Sequence, residues 1–301
     1  MKSKILVIVG PTATGKSSLA VKLAKKIGGE VISADSRQVY KGLDIGTGKI
    51  TKKEMAGVPH HLLDVADPKK QFSVVKYVEQ AEKALAGIIA KNKIPIVAGG
   101  TGFYIHALID GVILPDVSPN VELRKKLSKK SAEELIDILK KLDRNRAENI
   151  DPKNSRRIIR AIEIAAALGK VPSITKIPSK YDPVFIGLTL RAEELRKKIK
   201  VRLEKRLKMG MIKEAERLHK NGLSWKRMDE LGLEYRYLAL YLQKKISLEE
   251  MRKKLETEIW RYAKRQMTWF KRDNRIQWLN AGDRGIEPLP RRLECLVLPL
   301  N

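Results

Sequence analysis

The run ILVIVGPTATGKSS, residues 5–18, constrains the fold of this chain more than any other stretch. Its apolar segment Ile5–Val9 reads as a buried strand, and Ser18–Ile27 reads as an amphipathic helix. Between them lies the pattern G-x-x-x-x-G-K-S, made of Gly10, Pro11, Thr12, Ala13, Thr14, Gly15, Lys16 and Ser17. This is a phosphate-binding loop in the required order of strand, loop and helix. Gly10 and Gly15 let the backbone turn tightly, so that successive N–H groups converge on one anion at the helix N-terminus, and Lys16 reaches the terminal phosphates. The Ser17 hydroxyl is the expected ligand for a Mg²⁺ ion bridging those phosphates. The loop does not say whose phosphate it holds.

Two more strand-to-helix units follow. Glu30–Ser33 leads through a long polar segment to a helix over Val74–Ala90, and Ile94–Val97 leads through the Gly99-Gly100 turn to a helix from about Gly102. Strands alternating with helices predict an α/β fold, a P-loop-containing parallel sheet with helices on both faces and ligands at the strands' carboxyl ends. Past LPDVSPN the pattern is helical over Val121–Ser128, Ala132–Leu142 and Ser155–Leu168, then a loop carries Pro172, Pro178 and Pro183. The strand-like VFIGLTL, 184–190, resumes the sheet. The predicted organisation is therefore a catalytic core of 1–114 and 183–301, interrupted by a helical insertion domain of 115–182. Helices over Ala192–Lys220, Arg236–Gln243 and Ser247–Lys271 and a short apolar IQWL complete the pattern.

Charge narrows the partner. Lys and Arg number 62 against 35 Asp and Glu, a formal surplus of +27, which calls for a polyanion. No run approaches the ~18 apolar residues of a membrane span, and no basic helix has the one-sided face of an interfacial anchor, so nucleic acid is favoured and no membrane is expected. The N-terminal apolar run is needed as a strand and is not a signal peptide. Cys295, the single cysteine, excludes disulfides and Cys-based zinc sites and suits the cytoplasm. A monomer is expected. Residues 191–227 hold 14 Lys/Arg against 5 Asp/Glu. In SRRIIRAIEI, 155–164, the stripe Ile158, Ile162 and Ala165 can be buried while Arg156, Arg157 and Arg160 project elsewhere. In TEIWRYAKRQMTWFKR, 257–272, Ile259, Ala263, Met267 and Phe270 read as a core stripe, Arg261, Arg265, Thr268 and Arg272 as another face, and Trp260 and Trp269 as packing residues.

EVISADSRQVY, 30–40, places Asp35 just past the second strand, beside the phosphate loop. A carboxylate there can help hold Mg²⁺, act as general base, or cap a turn, while Ser36, Arg37 and Gln38 are groups suited to reading a base edge. His60 and His61 lack a third metal ligand nearby and read as hydrogen-bonded structural residues. No N-K-x-D guanine motif follows, no apolar strand ends in an ATPase-type Asp, and nothing evident reads adenine. A molecular switch is disfavoured.

In this order GPTATGKS, ISADSRQVY, VPHHLLDV, GGTGFYI, RRIIRAIE, GMIKEAERL and RYAKRQMTWFKR resemble the bacterial tRNA dimethylallyltransferase family, the tRNA isopentenyltransferases, from about residue 4 to 279. The resemblance implies transfer of a dimethylallyl group from its diphosphate to N6 of the adenosine next to the anticodon, with Mg²⁺ present and diphosphate released. It implies that the phosphate loop holds the prenyl donor, that Asp35 is the general base, and that Thr101, Arg160 and Arg202 stand near the reacting centre. Asp35, Ser36, Arg37, Gln38, Thr101, Arg124, Arg156, Arg157, Ile158, Ile159 and Arg160 match its tRNA-contacting positions, which makes the insertion an anticodon-arm clamp. The chain departs from the pattern at Gly232-Leu233-Glu234-Tyr235, where many members have Gly-Tyr-Lys-Glu, and at Arg156, where Gln is common. The chief rival is a phosphate-loop kinase of a small metabolite or nucleoside with the insertion as its lid, which leaves the surplus charge unused. An RNA-binding nucleotidase accounts for the charge but wants a carboxylate on Mg²⁺ and a water-activating residue.

Overall fold

The computed structural model describes residues 2–112, 115–173 and 179–282. Along the chain run β1 (Ser3–Val9), α1 (Lys16–Ile27), β2 (Glu30–Ser33), α2 (Lys52–Met55), β3 (His60–His61), α3 (Val74–Ala90), β4 (Pro95–Ala98) and α4 (Gly102–Ile109). Next come α5 (Val121–Leu127), α6 (Ala132–Leu142), α7 (Arg144–Glu148) and α8 (Ser155–Leu168). The last stretch holds β5 (Tyr181–Thr189), α9 (Ala192–Lys208), α10 (Met211–Lys220), α11 (Trp225–Leu231), α12 (Leu233–Leu242), α13 (Leu248–Phe270) and β6 (Gln277–Asn280).

The strands form one six-stranded parallel sheet in the order β3-β2-β4-β1-β5-β6. Alternation along β1 shows why both faces must be covered. Leu6 and Ile8 enter a core shared with α1 and α9 to α13, whereas Ile5, Val7 and Val9 enter a second core built with α3 and α4. Each fully buried aliphatic side chain contributes about 1.5–3 kcal/mol. Compact units comprise Met1–Gly111 with Pro178–Asn301, and Val112–Ile177. The second unit has its own core, in which Ile158, Ile162 and Ala165 of α8 meet Leu127, Leu135 and Leu139.

Several elements differ from the sequence reading. β5 begins at Tyr181, inside the segment assigned to the insertion, because Tyr181, Asp182 and Pro183 pair with Ser3, Lys4 and Ile5. β6 joins β5 only from Ile186, so Pro183 has a partner strand on the β1 side alone. The expected helix Ala192–Lys220 is two helices, broken where Gly210 takes φ 96°. Three short helices were not expected: α2, in the long polar segment, α7, and α11, which is capped by the Ser224 side chain. α12 starts at Leu233 and not at Arg236. IQWL contributes to an edge strand, β6. Cys295 lies outside the described residues. Among the described residues no helix is long and apolar enough to cross a membrane.

Candidate active site

A cavity of about 1180 Å³ lies at the carboxyl ends of β1, β2 and β4, walled entirely by residues of the first compact unit. Thr12, Ala13, Gly15, Lys16 and Ser17 of the phosphate loop line it, with Asp35, Arg37, Gln38, Gly99, Gly100, Arg202 and Gln266. The loop's shape follows from its sequence. Gly10 takes φ 139°, and a Cβ there would collide with the Leu188 carbonyl; Gly15 takes φ 88° immediately before α1 begins at Lys16. Pro11 and Thr14 are buried behind the loop, where the Thr14 hydroxyl donates to Pro11 O at 2.9 Å.

Lys16 Nζ donates to Pro11 O at 2.7 Å. Burial, reinforced by Arg202 and opposed by Asp35, draws its pKa down to about 7. Arg202 of α9 donates to Thr12 Oγ1 at 3.3 Å and to Gly48 O at 3.2 Å. Burial and the neighbouring Arg206 pull it down to about 10, with Glu234 and Asp35 opposing. Both groups bond neutral oxygens and no carboxylate cancels them, so an anion arriving beside Lys16 would favour its charged form.

Asp35 follows β2. Its Oδ1 accepts from Arg37 N at 2.8 Å and Gln38 N at 3.3 Å, and no described residue donates to Oδ2. The carboxylate therefore caps its own turn with one oxygen and offers the other. Thr101 Oγ1 accepts from Ser36 N at 3.0 Å, and Thr101 N donates to Ala34 O, so Thr101 and Ser36 hold this turn from behind the cavity wall. His60 bonds Val58 O and His61 bonds Glu30, the hydrogen bonding expected of them, and His60 also lines the cavity. Among the described residues no group of three His, Cys, Asp or Glu could hold a metal ion.

Other predicted positions belong to the second unit. Ile158 is wholly buried, which leaves its side chain no surface for RNA, and Ile159 packs partly against the same core. Arg124 grips Glu163 with Nε and Nη2 at 2.9 and 2.8 Å, and Arg160 reaches Glu163 at 2.5 Å and Val117 O at 2.8 Å. Arg156 and Arg157 are exposed.

The sequence reading missed two groups. Gln266 of α13 is buried and bonds the phosphate loop and Gly100, while Met267, taken for the core stripe, is only partly buried. The spacing 259, 263, 266, 270 fits the helical period better, and a glutamine on that stripe was the available signal. Glu214 of α10 is also buried, accepting from the backbone N–H groups of Asp44, Ile45 and Gly46 and from the Tyr235 hydroxyl. It fixes the loop that leads to Gly48. Glu234, at one departure from the family pattern, pairs with Arg206 at 2.9 Å.

The IPP transferase family model matches residues 38–273. Curated relatives include the tRNA dimethylallyltransferase of Pelotomaculum thermopropionicum, 41% identical over 92% of this chain and 91% of its own length, and tRNA dimethylallyltransferase 2 of Treponema denticola, 46% identical over 90% and 92%. Among solved structures, the tRNA isopentenylpyrophosphate transferase of Bacillus halodurans aligns with TM-score 0.73 at 37% identity, covering 98% of this chain and 95% of that one. A eukaryotic dimethylallyltransferase acting on tRNA aligns with TM-score 0.80 at 26% identity, covering 97% and 77%. By motif, fold and relatives alike, the chain belongs to the IPP transferase family.

Proposed function

We propose that this protein transfers a dimethylallyl group from dimethylallyl diphosphate to N6 of the adenosine next to the anticodon of tRNA, releasing diphosphate and N6-dimethylallyladenosine. The observation that carries the reading is the content of one cavity: cations without carboxylate partners on the phosphate-loop side, Lys16 and Arg202, and a carboxylate with a free oxygen on the other, Asp35. Allylic C–O cleavage leaves negative charge on diphosphate and positive charge on the carbon fragment, and fixed donors that await the anion stabilise that separation. The loop N–H groups, Lys16 and Arg202 take the leaving group. Asp35 Oδ2 takes the proton from the exocyclic amine as its nitrogen attacks, which offsets the delocalisation of its lone pair into the ring. Thr101 holds the Asp35 turn in place through Ser36. The base leaves its stack to reach the cavity, whose volume suits a donor together with a flipped-out nucleoside.

The donor set fits Mg²⁺ held chiefly by diphosphate oxygens and water, with one protein hydroxyl, Ser17, exposed on the cavity wall. Such an ion would neutralise charge on the leaving group. The exposed Arg156 and Arg157 meet backbone phosphates of the anticodon arm, and the cytoplasm is where such an RNA is found.

Incubation with unmodified tRNA and either labelled dimethylallyl diphosphate or γ-labelled ATP tests this reading. Prenyl label is expected in tRNA, at the adenosine beside the anticodon. Phosphoryl label moving to a small acceptor, or simply released, would replace the reading with a kinase or a nucleotidase.

A further inference from the structure

We propose that Gln266 is a positioning residue that sets the spacing between the loop holding the leaving diphosphate and the loop holding the acceptor base, through a two-ended hydrogen bond that only a carboxamide supplies. The inference rests on the transfer reaction proposed above for the same cavity. Gln266 is 6% exposed and sits on α13 among the buried residues Ala263 and Phe270, so its backbone is fixed by the core. Its Oε1 accepts from Thr12 N at 2.8 Å, within the phosphate loop. Its Nε2 donates to Gly100 O at 2.9 Å. A Cβ at Gly100 would land on that nitrogen, so the backbone lies directly against the amide.

Each end continues toward a reacting group. On one side, the Thr12 hydroxyl accepts from Arg202. On the other, Gly100 precedes Thr101, whose hydroxyl holds Ser36 N beside Asp35. One side chain thus ties the anion-gripping loop to the loop that carries the base. Chemistry dictates which side chain can do so. The site needs an acceptor facing Thr12 and a donor facing Gly100; a carboxylate presents acceptors at both ends and opposes the Gly100 carbonyl, and a thioether presents no donor. Displacement at the allylic carbon needs the nitrogen within about 3–3.5 Å of it in line, so loosening this tie lowers rate more than affinity.

Gln266→Glu and Gln266→Met test the idea, Met preserving length and flexibility in the core. At neutral pH both are expected to lower kcat about 10- to 100-fold, with Kd for dimethylallyl diphosphate and for tRNA within about threefold of wild type. As pH falls, kcat of Gln266→Glu relative to wild type should rise, because the introduced carboxyl, buried against a carbonyl, protonates above its ordinary range and regains an O–H donor. The same ratio for Gln266→Met should stay flat. A merely structural role would lower melting temperature in both variants with kcat of the folded fraction unchanged, and that outcome overturns the proposal, as does a pH-independent ratio for Gln266→Glu. Hydrogen exchange at the Thr12 amide, measured without substrates, reads the tie apart from turnover. It should accelerate in Gln266→Met, and unchanged exchange overturns the proposal. Inactive wild-type protein with accelerated exchange would remove the transfer reading and leave the tie standing.

Discussion

Asp35 and Glu163 are both acids with arginines in their neighbourhood, and their situations are opposite. Glu163, in the helical unit, is 2% exposed and takes donors from Asn120 N, Arg124 and Arg160 on its two oxygens. Burial works to raise its pKa, but the hydrogen bonds from Arg124 and Arg160 prevail and hold it below the usual carboxylate range. Asp35 takes two backbone N–H groups on one oxygen and keeps the other. The arginines divide in the same way: Arg160 ends on Glu163, whereas Arg202 bonds a carbonyl and a hydroxyl. A neutralised pair fixes a shape; an unneutralised group retains field and proton affinity for a ligand. Under the proposed function, charge compensation divides structural from chemical residues where residue type does not.

The largest expected effect is at Asp35. Asp35→Asn keeps the turn cap through its side-chain oxygen but cannot accept a proton. Turnover should fall about 10²- to 10⁴-fold, roughly 3–5.5 kcal/mol of barrier, with both substrates still bound. Single-turnover rates and dissociation constants decide it. Recovery at high Mg²⁺ would make Asp35 a metal ligand, and a lower melting temperature with near-normal turnover would leave it the cap alone.

Lys16 comes next. Lys16→Met should lower transfer about 10²- to 10³-fold while tRNA affinity holds, since one fixed cation is lost from the leaving group's side. Stability should move the other way. The Lys16 pKa is drawn from its ordinary 10.5 to about 7, so between those values the unfolded chain binds more protons and the folded state gains as pH rises. The variant should therefore melt above wild type near pH 7, with the gap closing toward pH 10. A constant gap would mean that Lys16 is not held below its ordinary range.

Much of this contrast was legible in the sequence, and the illegible part has a physical pattern. Spacing revealed the phosphate loop, the strand ends carrying Asp35 and Gly100, and the buried stripe of α8, because local periodicity and glycine placement decide those features. Glu163, Gln266 and Glu214 were not legible. Each takes its role from partners far away in the chain, such as Thr12 for Gln266 and Asp44 to Gly46 for Glu214, and a polar residue on a helix, even on a buried stripe like that of Gln266, does not say which partners those are. Short elements were lost for a related reason: β3 is two residues long and exists because β2 pairs with it. The resemblance supplied Arg160 and Arg202 as equals, and only their partners distinguish them.

Removing compensation should cost stability before it costs rate. Glu163→Gln leaves Arg124 and Arg160 without a counter-charge, and the expected loss is about 1–3 kcal/mol, toward the lower end because both arginine side chains are 35% exposed and water can take up their donors. The wild-type contribution should be present above the ordinary carboxylate pKa and fade as pH falls through the lowered one, which thermal melts of the two proteins would show. Arg160→Gln should follow the same pattern, and Arg202→Gln should instead lower kcat. An equal fall in kcat for Arg160→Gln would mean that Glu163 releases this arginine during turnover.

The smallest effect concerns exposed cations, where compensation again sorts the outcome. Arg156 and Arg157 stand exposed in the first turn of α8, and neither forms an ion pair among the described residues; Arg144, also exposed, is bound to Glu148 at 3.0 Å. A cation that meets an RNA phosphate releases counterions, and each such contact adds about 0.7–0.9 to the slope of log K against log salt. The double substitution Arg156→Ser with Arg157→Ser should therefore flatten that slope by up to about 1.4–1.8 and weaken tRNA binding most at low salt, with donor affinity unchanged. Arg144→Ser should leave the slope as it was, since its charge is already answered within the helix. Equal slopes for all three proteins would show that α8 does not meet the RNA backbone. Equal flattening by Arg144→Ser would show that surface charge acts here as a diffuse field, so that the contrast between compensated and free arginines holds in the cavity and not on the surface.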